Sequence, residues 1–394
     1  MRRVSLIGFF IFSLFVFISF CHPPGHLAAE SSREQIKTFL QRGIEKGLHL
    51  DEKAAMAELV KAIELDRENP MGYAYLAMAY LFFYETGFEE KEKKKKEALL
   101  LRAVEDAQVR AEKKIEKDPQ DAEAYFSLAI AKMVKNRWEI IRKNYFRALR
   151  EAQNVWDYLE KTRELDPGNY DVYYPMGVLH YHLAQVSGVT RWITTLFITA
   201  ADREKGLKEF ELAFAKGYLL KDLAQSNLVS IYSSYEKQPA RALPLAKQLK
   251  EKYPNNYNFS FALANVLSDL GQAEEALSIA GEIANRIKSG IPPYQRELWP
   301  RHQQLLGKIF FDQGEYNKAI DYFQLALKDP APYNARVRAL ALVRLGMIHD
   351  IRKERKMAEE CYQKALEIEG AEGLAQREAK EYLDTPYVPP RRKR

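Results

Sequence analysis

The side chains able to do chemistry are few and scattered along this chain. His180 and His182 stand two residues apart, which on a helix turns them about 200° from one another and forbids a shared metal. His22, His26, His49, His302 and His349 are spread along the sequence. There is no HExxH pair, no CxxC and no glycine-rich phosphate loop. The carboxylates alternate with Lys and Arg at helical spacing, as solvated helix faces do. Cys361 adjoins Tyr362 and reads as a packed thiol. Cys21 is different. It follows an apolar run, where a bacterial lipoprotein carries its acylated cysteine, although Phe20 stands where such signals have Gly, Ala or Ser. The expectation is a non-catalytic protein with neither metal nor cofactor. Its chemistry is then recognition, which places the weight on the elements that carry the contacts.

Those elements announce themselves by period. Gly307, Ala319, Phe323 and Ala326 are matched by Gly346, Ala358, Tyr362 and Ala365, each 39 residues on. The spacing is 12, then 4, then 3 residues, so the last three positions share one helix face and face a small residue on a preceding helix. Ser230, Ala242, Ala246 and Leu249 repeat the spacing, as do Ala264, Ala276, Ala280 and Ile283, and Gly43, Ala55, Leu59 and Ala62. Asp118-Pro119, Asp166-Pro167 and Asp329-Pro330 mark closing turns, since proline stops a helix from continuing.

This pattern resembles the tetratricopeptide repeat, a helix-turn-helix unit. The resemblance implies an all-α, right-handed helical solenoid of about eight helix pairs over residues 30–384. Three units are longer than the repeat requires, with insertions near 86–106, 136–152 and 187–203. Their compositions are helix-forming, so the second helix of each is expected to be extended, starting near Glu89, Arg137 and Arg191. The apolar residues in them either pack on one another or stay open to a partner or bilayer. Leu196-Phe197, Asp202 to Leu207 and Phe210 also resemble a stretch of the inclusion-body-clearance type of repeat protein, which implies a scaffold and names no ligand.

The ends carry address rather than fold. Arg2 and Arg3 precede the apolar run Val4 to Phe20, and Ala28-Ala29 follow, so residues 1–29 read as an export signal or N-terminal anchor. Removal near Ala29, retention and acylation at Cys21 all remain open. The location expected is the periplasm or cell envelope. The formal charge of +6 resides in the ends, two positive residues in 1–29 and four in Arg391 to Arg394, which leaves 54 basic and 54 acidic residues between them. A balanced body behind an export signal argues against nucleic-acid binding. Residues 385–394 read as a mobile basic tail.

In repeat phase the first helices of the pairs line the inner face. Its early part is apolar (Met78, Phe126, Ile130, Met133, Tyr174, Tyr181) and its later part polar (Asn227, Ser234, Asn258, Asn265, Lys308, Asp312). The early part is either an apolar groove or is buried beneath Leu40 and the extensions. The candidate partner-binding residues are Phe126, Tyr174, Tyr181, Asn227 and Asn265, at the junction of the two parts. The function expected is an exported interaction scaffold for a protein or peptide, peripheral or anchored at a membrane. The alternatives are a carrier or sensor of a small apolar ligand under the extended helices, and a structural subunit of an envelope transport complex.

Overall fold

The computed structural model describes residues 24–183, 202–371 and 373–389. Among them are seventeen α-helices and no strand. They pair in chain order as α1 (Pro24–Leu48) with α2 (Glu52–Leu65), α3 (Pro70–Thr86) with α4 (Glu90–Lys117), and α5 (Ala122–Ile141) with α6 (Tyr145–Leu165). The series continues with α7 (Tyr173–Leu183) and α8 (Arg203–Lys216), α9 (Lys221–Ser230) and α10 (Pro239–Lys252), and α11 (Tyr257–Asp269) and α12 (Ala273–Ser289). The last pairs are α13 (Trp299–Gln313) with α14 (Tyr316–Leu327) and α15 (Ala335–Ile351) with α16 (Arg355–Glu367), and α17 (Leu374–Asp384) closes the end. The solenoid of eight pairs is therefore as the spacing predicts. No helix among the described residues is long and apolar enough to cross a membrane.

Local chemistry explains the punctuation. The aspartate of each closing turn folds its carboxylate back onto an amide two residues on: Gln120 to Asp118 at 3.0 Å, Gly168 to Asp166 at 3.1 Å and Ala331 to Asp329 at 2.9 Å. Asp51, Asn69, Asp121 and Asn256 then accept the first free N–H groups of α2, α3, α5 and α11, satisfying donors that a helix start leaves bare. The small position of the repeat is a true steric requirement. A Cβ on Gly307 would lie 2.5 Å from the ring of Phe323, and Gly346 meets Tyr362 in the same way.

The three extensions resolve differently. The first is one helix, α4, of 28 residues. The second is not a helix running from Arg137. The chain turns at Lys143, with φ of 60°, and the added length is shared between α5 and α6, of 20 and 21 residues. The turn contains no Gly or Pro that would betray it. It is held by Glu139, whose carbonyl accepts the Asn144 N–H and whose carboxylate accepts the Asn144 amide at 2.7 Å. The start expected near Arg191 lies outside the described residues. Inside them, α8 begins only at Arg203, because the Asp202 side chain caps the Lys205 N–H. Pro244 lies within α10. The basic tail begins later than residue 385, because Tyr387 is docked. Its N–H donates to Asp350 at 2.8 Å and its ring packs on Tyr382 and Phe311.

Candidate functional site

The inner face is two surfaces joined end to end. On the early half, Ala74, Phe126 and Ile130 are all buried, and α1 supplies the cover. Ile36 and Leu40, the latter with no exposure, join Phe126, Ile130, Val172 and Leu220 in one core. The helix is pinned at both ends of its reach. Tyr218 Oη donates to Gln41 at 2.6 Å, and the buried Asn256 amide donates to the Leu48 carbonyl at 2.8 Å. The link between α3 and α4 adds a second strap, since Tyr257 Oη donates to the Thr86 carbonyl at 3.3 Å and Phe88 sits between the rings of Tyr257 and Tyr333. Of the two alternatives for the apolar half, burial beneath Leu40 is the one the structure shows.

The candidate residues separate accordingly. Tyr174 and Asn227 do meet, with the amide 3.5 Å from the phenol oxygen, while Asn227 also donates to the Leu223 carbonyl at 3.0 Å. Burial pushes the Tyr174 phenol up to about 12. Phe126, 2% exposed, is core. Tyr181, expected on the groove beside Tyr174, is fully buried. Its ring packs edge-on against Phe210 and Tyr235, and its hydroxyl donates to Glu236 at 2.6 Å, which in turn holds Arg203. The cause is Gly206. A Cβ there would stand 2.5 Å from the Tyr181 backbone nitrogen, so its absence lets α8 close onto α7 and places Tyr181 between repeats. Asn265 remains on the inner face, donating to the Phe261 carbonyl at 2.9 Å.

The later half is open. A cavity of about 450 Å³ is lined by Ser230, Ser234, Asn265, Asp269, Arg301, Gln304, Lys308 and Arg344. A second, of about 240 Å³, is lined by Ser226, Asn258 and Arg301, and shares Val229, Ser230 and Ala262 with the first. The two form one polar groove along α9, α11, α13 and α15. Its cations differ in how they are compensated. Lys308 Nζ lies 2.6 Å from both Asp269 and Asp312, and against the pull of desolvation these carboxylates hold it above the ordinary lysine value. Arg344 lies 3.2 Å from Glu378.

Arg301 has no such partner. Its guanidinium donates to the Asn258 side-chain oxygen at 2.6 Å and lies 4.3 Å from the centre of the Phe261 ring. Among the described residues no carboxylate forms an ion pair with it, and desolvation lowers its proton affinity from the ordinary arginine value. A desolvated cation facing a cavity is the group that gains most from an incoming anion. The repeat phase that singled out Lys308 could have found Arg301, which precedes it by seven residues, two turns of the same helix.

His180 is committed elsewhere. Its Nδ1 lies 2.5 Å from the Glu209 carboxylate, both buried, and its ring packs on Trp156. Cys361 is half-buried, and burial pushes its thiol up, the reverse of a reactive cysteine. Among the described residues no cluster of metal ligands occurs.

Comparison with known proteins adds two family models. The model described as Regulator of microtubule dynamics protein 1-3 matches residues 42–215. The tetratricopeptide repeat model matches residues 303–328 and 339–372, the two passages with the 39-residue period. No curated protein matches the chain. Among solved structures, a human IFIT1 dimer with m7Gppp-AAAA is similar over 90% of this chain and 89% of its own, with 15% identity and a TM-score of 0.45. Yeast Tom70 is similar over 91% and 83%, at 12% identity and 0.40, and a tetratricopeptide repeat protein from Parabacteroides merdae over 78% and 99%, at 12% and 0.32. These likenesses are too loose to carry a ligand across. What holds instead is the recurring small, aromatic and alanine positions, the helix pairs they build and the matched repeats, and these give the chain a tetratricopeptide-repeat-like helical solenoid that carries recognisable repeats of that type at residues 303–328 and 339–372.

Proposed function

We propose that this protein is an exported, non-catalytic interaction scaffold that holds an extended, acidic segment of a partner protein in the polar half of its inner face. Repeat proteins of this class serve protein–protein interaction, and the open groove is the surface the fold leaves for it. The observation that carries the reading is Arg301. It faces two joined cavities without a carboxylate of its own, while Lys308 and Arg344 beside it are already neutralised. A partner carboxylate reaching Arg301 forms a charge-assisted hydrogen bond in a partly desolvated site. Asn265 and Ser230 on either side offer donors and acceptors to an extended backbone. Export is supported by Arg2, Arg3 and the apolar run Val4 to Phe20.

The carrier reading loses support from the packing of the first two extensions. Leu81, Leu100, Val104, Val134 and Trp138 fill one another in a satellite core.

The test is capture of partners from solubilised native envelopes on immobilised wild-type protein and on Arg301→Ala, with both eluates identified by mass spectrometry. A protein retained by the wild type and lost from the variant, and then displaced by an acidic peptide of its own sequence, supports the reading. Equal retention by both removes Arg301 from the site. Fractionation that finds the native protein in the cytosol with its first residues intact removes the export reading.

A further inference from the structure

The turn between α5 and α6 carries a surface that the groove does not use. Phe146 is 74% exposed and Tyr145 50%. Around them Arg142, Lys143, Arg147 and Arg150 are all exposed. The two carboxylates of the same stretch point inward: Glu139 is buried and accepts from Asn144, and Glu151 lies 3.7 Å from Lys132 with both side chains mostly covered. The tip thus presents cations and aromatic rings outward and turns its acids away. Among the described residues Lys143 is the one of the four with an ion pair, to Glu369 at 3.6 Å, and both are exposed, so the pair holds little against competition. Behind the tip Trp138 is 4% exposed and packs against Tyr84, so the projection stands on the satellite core.

We infer that this tip docks on an anionic lipid bilayer. The shape selects among anionic partners. A protein would need a pocket to take Phe146, whereas a bilayer accepts a convex tip anywhere on its surface. Aromatic side chains gain at the headgroup level, where the ring is apolar and the surroundings wet. Each Lys or Arg near an anionic leaflet adds to the attraction, so the four act together on a charged surface. The inference is independent of the groove. Docking would present the solenoid to its partner at the membrane surface.

A probe at the tip tests this in the full chain. With Cys21→Ser and Cys361→Ser as background, Phe146→Cys is labelled with an environment-sensitive fluorophore. The protein is mixed with phosphatidylcholine vesicles, with and without about one-third phosphatidylglycerol. The apolar N-terminal run can hold the chain to both kinds of vesicle, so the label reads the tip alone. The expected result is a blue shift, with quenching by brominated lipid, in the anionic vesicles only. Arg142→Glu with Arg147→Glu should lower the inserted fraction about tenfold or more, with helicity by circular dichroism unchanged. A label that stays in water on anionic vesicles overturns the inference, and equal insertion into neutral vesicles does so as well. A response to single-stranded RNA but not to vesicles would assign the tip to nucleic acid instead.

Discussion

The two halves of the inner face are made by the same helix-pair geometry and have opposite fates. Along α3, α5 and α7 the residues are apolar, and α1 lies against them with Leu40 fully buried. Along α9, α11, α13 and α15 they are polar, and the groove stays open. Free energy accounts for the difference. Covering apolar surface gains about 25 cal/mol per Å², so an N-terminal helix with Ile36, Leu40 and Leu48 on one side is stabilised over the early half. Covering the later half with apolar residues would take the remaining water from Arg301 with nothing supplied in return, at a cost of several kcal/mol for an unpaired charge. The chain closes the half on which it gains and leaves the other open.

The largest effect is expected where the boundary between the halves is tightest. Tyr181→Ala removes a buried ring and its hydrogen bond to Glu236, which keeps Arg203, and it should cost about 3 to 5 kcal/mol in urea unfolding. A loss under about 1 kcal/mol would mean that the ring faces an open groove after all. Next comes the cover itself. Leu40→Ala should cost about 3 kcal/mol and expose Phe126 and its neighbours, read as increased binding of a hydrophobic dye. Unchanged stability and dye binding would show that α1 does not cover the early half.

Arg301→Met sharpens the contrast from the other side. Removing a desolvated, uncompensated cation should leave stability unchanged or raised, while affinity for an acidic partner peptide falls by about 1.5 to 3 kcal/mol. Titration calorimetry and melting of the one variant give both numbers, and lost stability with kept affinity would return Arg301 to a structural role.

The smallest effect concerns His302 on α13, which packs behind the groove. Its Nε2 lies 3.0 Å from the Ala280 carbonyl, its Nδ1 is buried without a hydrogen bond, and burial lowers its proton affinity below the ordinary value of 6.5. The folded chain therefore binds fewer protons here than the unfolded chain. Stability from this group is complete above the unfolded value and falls as pH drops below it. Comparing urea midpoints at about pH 7.5 and about pH 5, the wild type should lose more than His302→Gln. Equal losses would show that the site tolerates the proton.

Much of the architecture was legible because the repeat is written in residue size. Gly307 with Phe323 and Gly346 with Tyr362 state a helix crossing directly, since only one spacing brings a small residue under an aromatic. The polar part of the groove was legible for the same reason, as phase carries Asn265 and Lys308 to the inner face. Tyr181 was misplaced by that reasoning. Seven residues from Tyr174 give the same helix face, but one face can look into a groove or into the next helix, and Gly206 on α8 decided which. The break at Lys143 had no Gly or Pro to mark it. It depends on Trp138 finding its place against Tyr84 and on Glu139 tying down Asn144.

The sequence by itself determined the helix pairs, their period, their turns and the apolar-to-polar change along the inner face, because each follows from spacing within a few tens of residues. Only the tertiary structure decided that α1 would lie on the early half, joining Gln41 to Tyr218 and Leu48 to Asn256 across 177 and 208 residues. It alone left Arg301 without a counter-charge among the described residues while giving Lys308 two. Contacts of that range depend on how much each pair rotates on the last, and small rotations add up along the solenoid until its two ends either meet or stay apart.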